Sequence, residues 1–172
     1  TAWRCLQKGR LQPGQKILIY GASGAVGTNA VQLASRHFGA DVTGVCSGPN
    51  LALVRSLGAS QVMDYTRQDF TQGGATYDVV FDAVGKLTPA QGKRTLKPAG
   101  VYLNVHTNSG GDEKLETLLL LKGLIEAGQF RPVIDRIYPL EQIVEAHRYV
   151  EQGHKTGNVV ITVGNTHPQK EG

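Results

Sequence analysis

Apolar positions along the chain fall into two alternating rhythms. Short, nearly continuous apolar runs predict strands at Lys16–Tyr20, Asp41–Cys46, Gln61–Tyr65, Tyr77–Ala83 and Val101–His106. Runs such as KILIY and DVVFDAV lack a polar alternation, which suits strands buried on both faces, as in a parallel sheet. Between the first two strands, Val26, Ala30, Leu33 and Ala34 recur at helical spacing. They predict a helix over Ala25–His37 with Gly39 as its stop. A second helix is predicted over Leu51–Leu57, with Asn50 as N-cap and Gly58 as stop. Thr88-Pro89 opens a third, which carries Gly92 inside it. Strand–helix–strand alternation with short connections gives an α/β fold, a doubly wound parallel sheet.

After His106 the pattern loosens. A helix is predicted over Asp112–Ala127, with Asp112 and Glu113 at its positive end and Gly128 as its stop. Leu118–Leu121 is apolar all round, which predicts burial on more than one side. Val133–Tyr138 reads as a strand. Leu140–Glu151 reads as an amphipathic helix with Ile143, Val144, His147 and Val150 inward, and Asn158–Val163 as a last strand. The polar tail GNTHPQKEG is expected to fray.

The seam between the first strand and helix reads YGASGAVG, with Gly21, Gly24 and Gly27 at three-residue spacing. A strand–glycine–helix seam places a pyrophosphate on helix N-terminal amides, with the missing Cβ atoms letting backbone approach it. The spacing is G-x-x-G-x-x-G rather than the commoner G-x-G-x-x-G, so its weight comes from its place after a buried strand. Glycines that serve close packing alone are the competing reading. A nucleophile elbow wants G-x-S-x-G, but Ala25 stands where the last glycine should be; Ser23 is then a turn residue or a polar neighbour of the ligand. A P-loop fails for want of a lysine before Thr28. Dinucleotide folds place an acid for the adenosine ribose about 20 residues past the last glycine. Here Cys46 is followed by Ser47-Gly48-Pro49-Asn50, with no carboxylate. That favours NADPH over NADH, with NADH still open, and asks Arg55 or Arg67 for the phosphate's countercharge. Cys46 also reads as a small buried residue at a strand end.

Composition changes the picture little. A chain of 172 residues suits one ordinary domain, and a net charge of +4 from scattered cations gives no nucleic-acid stripe. Only Lys93, Arg94 and Lys97 cluster. Cys5 and Cys46 form no metal or redox spacing and suggest a reducing, cytoplasmic setting. No segment is apolar enough to span a bilayer and no signal peptide is visible. The opening TAWRCLQKGRLQPGQ reads like the interior of a longer chain. The five histidines do not cluster, and no Cys, His and Asp set has zinc spacing. Asp64, Asp78 and Asp82 sit at strand ends as turn or cap residues. No catalytic residue and no metal ligand is nominated; hydride transfer needs little from side chains, because the cofactor carries the chemistry.

Together, TAWRCLQKGRLQPGQKILIYGASGAVGTNAVQLA, VRSLGASQVMDY and YDVVFDAVG resemble the medium-chain dehydrogenase/reductase superfamily, in its zinc-independent quinone oxidoreductase branch related to zeta-crystallin. The resemblance covers residues 1–106 and returns over 124–163. It implies a Rossmann cofactor domain over 1–130. Residues 131–172 are then a C-terminal strand–helix–strand and tail that belong with a β-barrel domain not in this sequence. It implies hydride delivery from NADPH to a small quinone, enone or similar activated alkene, and a possible homodimer. By family position, Ala25 and Val26 face the pyrophosphate, and Ser47, Asn50 and Tyr65 surround the adenosine and its phosphate. Val84 and Gly85 lie along the ribose, and Val105, His106 and Thr107 near the nicotinamide. Asn50 departs from relatives that carry a basic residue there or one position earlier. Tyr65 reads equally as a plain strand-end residue. A segment that relatives carry between NVHTNSGG and LIEAG is also missing, and the apolar face of 133–163 is expected to lie exposed or against another molecule. Other classes remain: a nucleotide-binding module without turnover, as a sensor or structural protein, and an S-adenosylmethionine fold, which would want an acid at Cys46.

Overall fold

The computed structural model describes residues 1–112 and 114–164. A first helix, α1 (Ala2–Lys8), buries Ala2, Trp3, Cys5 and Leu6. Then follow β1 (Lys16–Tyr20), α2 (Ala25–Gln32), β2 (Asp41–Cys46), α3 (Leu51–Ser56), β3 (Gln61–Asp64), β4 (Tyr77–Asp82), α4 (Pro89–Lys93) and β5 (Leu96–Asn104). The strands form one parallel sheet in the order β3-β2-β1-β4-β5. This is the doubly wound, Rossmann-like arrangement that the alternation predicts.

Both faces of the sheet are covered, as the unbroken apolar runs require. Ile17, Ile19, Val79, Phe81 and Leu103 pack with α1 and α2 on one side. Leu18, Val45 and Val80 turn the other way, onto Phe70, Tyr77 and Leu87. The helix expected over 25–37 continues past α2 as a wider π-helical turn, Leu33–His37, and Gly39 ends it with φ +65°. Thr88 caps α4 with a reciprocal capping box: its hydroxyl accepts from the Gln91 N–H at 3.2 Å, and its own N–H donates to the Gln91 side chain at 2.9 Å.

Three local expectations change. The strand expected over 101–106 runs from Leu96 to Asn104, and Val105–Asn108 forms a short helix, α5. The Asn104 side chain accepts the His106 N–H at 2.9 Å, and Asn108 accepts the Asn104 N–H at 2.8 Å; these side chains offer the backbone a turn instead of a ladder. Asn50 stands at the N-cap of α3 but makes no capping bond, because its amide is engaged elsewhere. The next helix, α6 (Leu115–Glu126), starts three residues later than expected, with Glu116 as its first-turn acid. Asp112 lies outside it, and Glu113 outside the described residues.

The run Leu118–Leu121 of α6 is not buried all round. Leu118 and Leu119 are 54% and 58% exposed, while Leu120, Leu121 and Leu124 meet the core. One apolar side of this helix therefore has no cover within the described residues.

The chain ends in a separate two-stranded parallel sheet, β6 (Ile134–Pro139) and β7 (Asn158–Thr162), joined by α7 (Ile143–Glu151). Of the residues expected inward on α7, only Ile143 is half-buried; Val144, His147 and Val150 are exposed, and Ala146 is the buried position. Ile134, Ile137 and Leu140 are exposed too, as expected of this face. The expected fraying of the tail falls on 165–172, outside the described residues.

Candidate functional site

In this sheet the strand order reverses between β1 and β4, and the crevice outside the strands' carboxyl ends is where such folds take ligands. The chain turns at the ends of β1, β2, β3 and β4 into a cleft of about 610 Å³. After β1 come Gly21, Ser23 and Gly24; after β2, Cys46, Ser47 and Asn50; after β3, Tyr65; after β4, Val84 and Lys86. The remaining wall, His154, Lys155 and Thr156, comes from the far end of the chain.

The three glycines have different reasons. Gly21 sits at φ +78°, and a Cβ there would strike Val84 Cγ2. A Cβ on Gly27 would run into the Gly21 carbonyl and come within 2.7 Å of Ala22 Cα, so this glycine lets helix and strand pack closely. Gly24 is different. Its φ is −77°, and a Cβ would meet nothing nearer than the Gly21 oxygen at 3.5 Å. The fold does not need a glycine there. Gly24 is also the N-cap of α2 with no side-chain cap, so the first-turn amides of Ala25, Val26 and Gly27 have no capping side chain. An anion at this turn would meet backbone donors with nothing in the way.

The polar wall is pre-organised. The Asn50 amide donates to Ser23 Oγ at 3.3 Å and Ser47 Oγ at 3.1 Å, and its oxygen accepts from the Thr156 hydroxyl at 3.1 Å. The Gly157 N–H donates to the Ser23 carbonyl at 2.8 Å, which lays the 153–157 loop along the glycine turn. Lys155 Nζ donates to the Gly157 carbonyl at 2.7 Å. Tyr65 is half exposed and stacks obliquely with Tyr20, ring centroids 6.0 Å apart. Burial, then the neighbouring Asp64, pushes the Cys46 thiol up to about 11. It stays a thiol at neutral pH and forms a small wall, not a nucleophile. Burial likewise raises Tyr20, ahead of smaller effects of Tyr65 and Asp82, so it remains a phenol.

Not every nominated residue reaches the cleft. Ala25, Val26 and Gly27 form the helix start behind its glycine wall. Gly85 (φ +80°) faces the His106 imidazole, which occupies the place of its Cβ. Val105, His106 and Thr107 lie on α5 beyond the end of β5 and do not line the cleft. The cations differ from those expected. Arg55 is exposed on α3 and away from the cleft. Arg67 pairs with Asp64 at 3.7 Å and borders a neighbouring recess of about 400 Å³. Lys86 and Lys155 stand in the cleft instead. Lys86 was legible as a residue two positions past Val84; Lys155 had no local signal, because its segment is remote from the β2 turn in sequence, Thr156 lying 106 positions from Asn50.

The model of the zinc-binding dehydrogenase family matches residues 57–121 and 102–161, together more than half of the chain. The chain belongs to that family. Its solved and sequenced relatives agree with the quinone oxidoreductase branch of the medium-chain dehydrogenase/reductase superfamily. It is 34% identical to 2-methylene-furan-3-one reductase of Solanum lycopersicum, over 94% of this chain and 44% of that protein. It is 33% identical to the chloroplastic NADPH-dependent alkenal/one oxidoreductase of Arabidopsis thaliana, again over 94% and 44%. Its structure matches the quinone oxidoreductase of Coxiella burnetii with a TM-score of 0.87 at 28% identity, covering 95% of this chain and 57% of that one. The chain thus spans about half the length of these relatives. The family's description implies zinc. Among the described residues no three His, Cys, Asp or Glu come together to hold a metal, so the cleft offers zinc no donor set. Nor, among them, is any helix long and apolar enough to cross a membrane.

Proposed function

We propose that the chain is the cofactor-binding portion of an NADPH-dependent oxidoreductase that passes hydride to a small quinone, enone or similarly activated alkene. The observation that carries this reading is Gly24: a glycine the fold does not require, at the mouth of uncapped helix amides, facing a polar cleft. The amides of Ala25, Val26 and Gly27 receive the diphosphate. Ser47, Asn50 and Tyr65 surround the adenosine, and Val84 and Gly85 flank the ribose. Lys86 and Lys155 supply the positive charge for a 2′-phosphate. Val105, His106 and Thr107 stand towards the nicotinamide end.

Bound NADPH supplies the hydride; the chain's own residues orient it. The Asn50 network holds one wall still, and neutral Cys46 and Tyr20 add no charge against a phosphate. Water meets the need for a proton, so no side chain is assigned as general acid. In this reading residues 1–130 form the nucleotide domain and 131–172 the unit that leads to a substrate domain. The buried, reduced Cys5 and Cys46 fit a cytoplasmic setting. The relatives that are an alkenal/one oxidoreductase and a 2-methylene-furan-3-one reductase support the substrate class.

Calorimetric titration with NADPH and NADH tests this directly. NADPH binds the tighter of the two, and Gly24→Val abolishes binding while the thermal unfolding midpoint falls by only a few degrees, roughly the cost of replacing an N-cap glycine. Unaltered NADPH affinity in Gly24→Val sinks the proposal.

A further inference from the structure

At the end of β4 one carboxylate organises a whole side of the cleft. Asp82 is fully buried. Its Oδ1 accepts the Val84 N–H at 3.1 Å and the Gly85 N–H at 2.7 Å. Its Oδ2 accepts the Leu87 N–H at 2.8 Å, with the Tyr102 hydroxyl at 3.4 Å and the Asn104 amide at 3.3 Å behind it. Lys86 is the residue between two clamped amides. On the same turn, Val84 packs against Gly21 with no room for a Cβ, and Gly85 does so against His106. The glycine turn, the cation and the end of β5 thus meet through one side chain that does not line the cleft itself.

Resting on the reading of the cleft above, we propose that Asp82 is a positioning residue for cofactor discrimination: its carboxylate clamps the 83–87 turn and thereby holds Lys86 where a ribose 2′-phosphate arrives. A buried carboxylate is a costly way to close a turn unless its lone pairs are filled, and here both oxygens are. It suits this turn because it accepts on both oxygens. In Asp82→Asn the amide oxygen still serves Val84 and Gly85, but the NH2 group faces the Leu87 N–H, donor against donor. Lys86 then loses its fixed neighbour on one side while keeping its own charge.

Two readouts on the full 172-residue chain test this. Amide exchange of the unliganded chain comes first. Val84, Gly85 and Leu87 are protected in the wild type; in Asp82→Asn the Leu87 amide exchanges about tenfold or more faster, and Val84 and Gly85, left with a neutral acceptor, speed up by less, while Ile17–Ile19 keep their protection. The second is the ratio of NADPH to NADH affinity. Asp82→Asn and Lys86→Ala each lower it by about tenfold, and the double variant lowers it no further than Lys86→Ala alone. If Asp82→Asn does not fold, Tyr102→Phe removes one donor from the carboxylate and shifts the ratio the same way by a smaller factor. Unchanged exchange at the three amides overturns the clamp, whatever nucleotides do. Additive losses in the double variant overturn its link to Lys86. A wild type that binds neither nucleotide overturns the cleft reading and the assignment to Lys86, and Asp82-dependent exchange distinguishes that outcome from a failed clamp.

Discussion

The central sheet and the β6–α7–β7 unit start from similar sequence and reach opposite states. β4 (YDVVFD) and β7 (NVVIT) are both apolar runs. In β4, Val79, Val80 and Phe81 are at most 1% exposed, because strands lie on both sides and helices or loops on both faces. In β7 every residue keeps some solvent contact, and its partner strand leaves Ile134 and Ile137 open. Polar contacts take up part of the burden there. Asp135 accepts the Tyr149 hydroxyl at 2.6 Å and the Thr156 N–H at 3.1 Å, and the Arg136 guanidinium lies 3.9 Å from the Tyr149 ring centre. Hydrophobic runs therefore state a demand for cover, and only the number of neighbouring layers meets it. The cleft lies between the two regions, with a rigid floor from the sheet and a wall from the small unit.

The contrast breaks most visibly at Phe81. Phe81→Ala should cost about 4 kcal/mol by urea unfolding; a loss below about 1 kcal/mol would mean that the sheet's core is not close-packed. Gly27→Ala comes next at about 2 kcal/mol, since the new methyl meets backbone that cannot turn aside. Wild-type stability in that variant would remove the close helix–strand approach. A smaller effect depends on pH. The Lys97 ammonium, then the Lys16 N–H, holds the Asp78 carboxyl below its ordinary value. A lowered folded value adds stability that is complete above the unfolded carboxyl's value near about 4 and is lost as the pH falls through the folded one. The stability gap between wild type and Asp78→Asn is thus constant from neutral pH down to about 5 and closes in stronger acid. A gap that persists at the acid end would show that the pair acts by packing. Smallest of all is Ile137→Ser, expected within about 0.5 kcal/mol because the side chain is 61% exposed. A loss several times larger would show that this face is covered in solution.

Much of the fold was legible without coordinates. β1 and β2 fall on the residues their apolar runs predict, and Gly39, Gly58 and Gly128 end their helices as expected, each with positive φ. Half of the cleft was legible as well, because the turns after β1, β2, β3 and β4 are set by strand ends and the fold brings such ends together. The misses share a cause. Periodicity shows which face of a helix is apolar but not whether anything lies against it, so Leu118, Leu119, Val144 and Val150 read as buried and are not. Strand propensity overran Asn104, whose side chain turns the backbone into α5.

By itself the sequence determined the parallel α/β order, the glycine turn and the absence of an acid at Cys46, since each depends on neighbours within a few residues. Tertiary structure alone decided that Asn50 bonds Thr156 across 106 residues, that Lys86 and Lys155 rather than the arginines enter the cleft, and that Asp82 ties the 83–87 turn to β5. Local patterns record what a segment needs to bury or bend; which distant groups supply its partners is settled only when loop closure brings them within bonding distance.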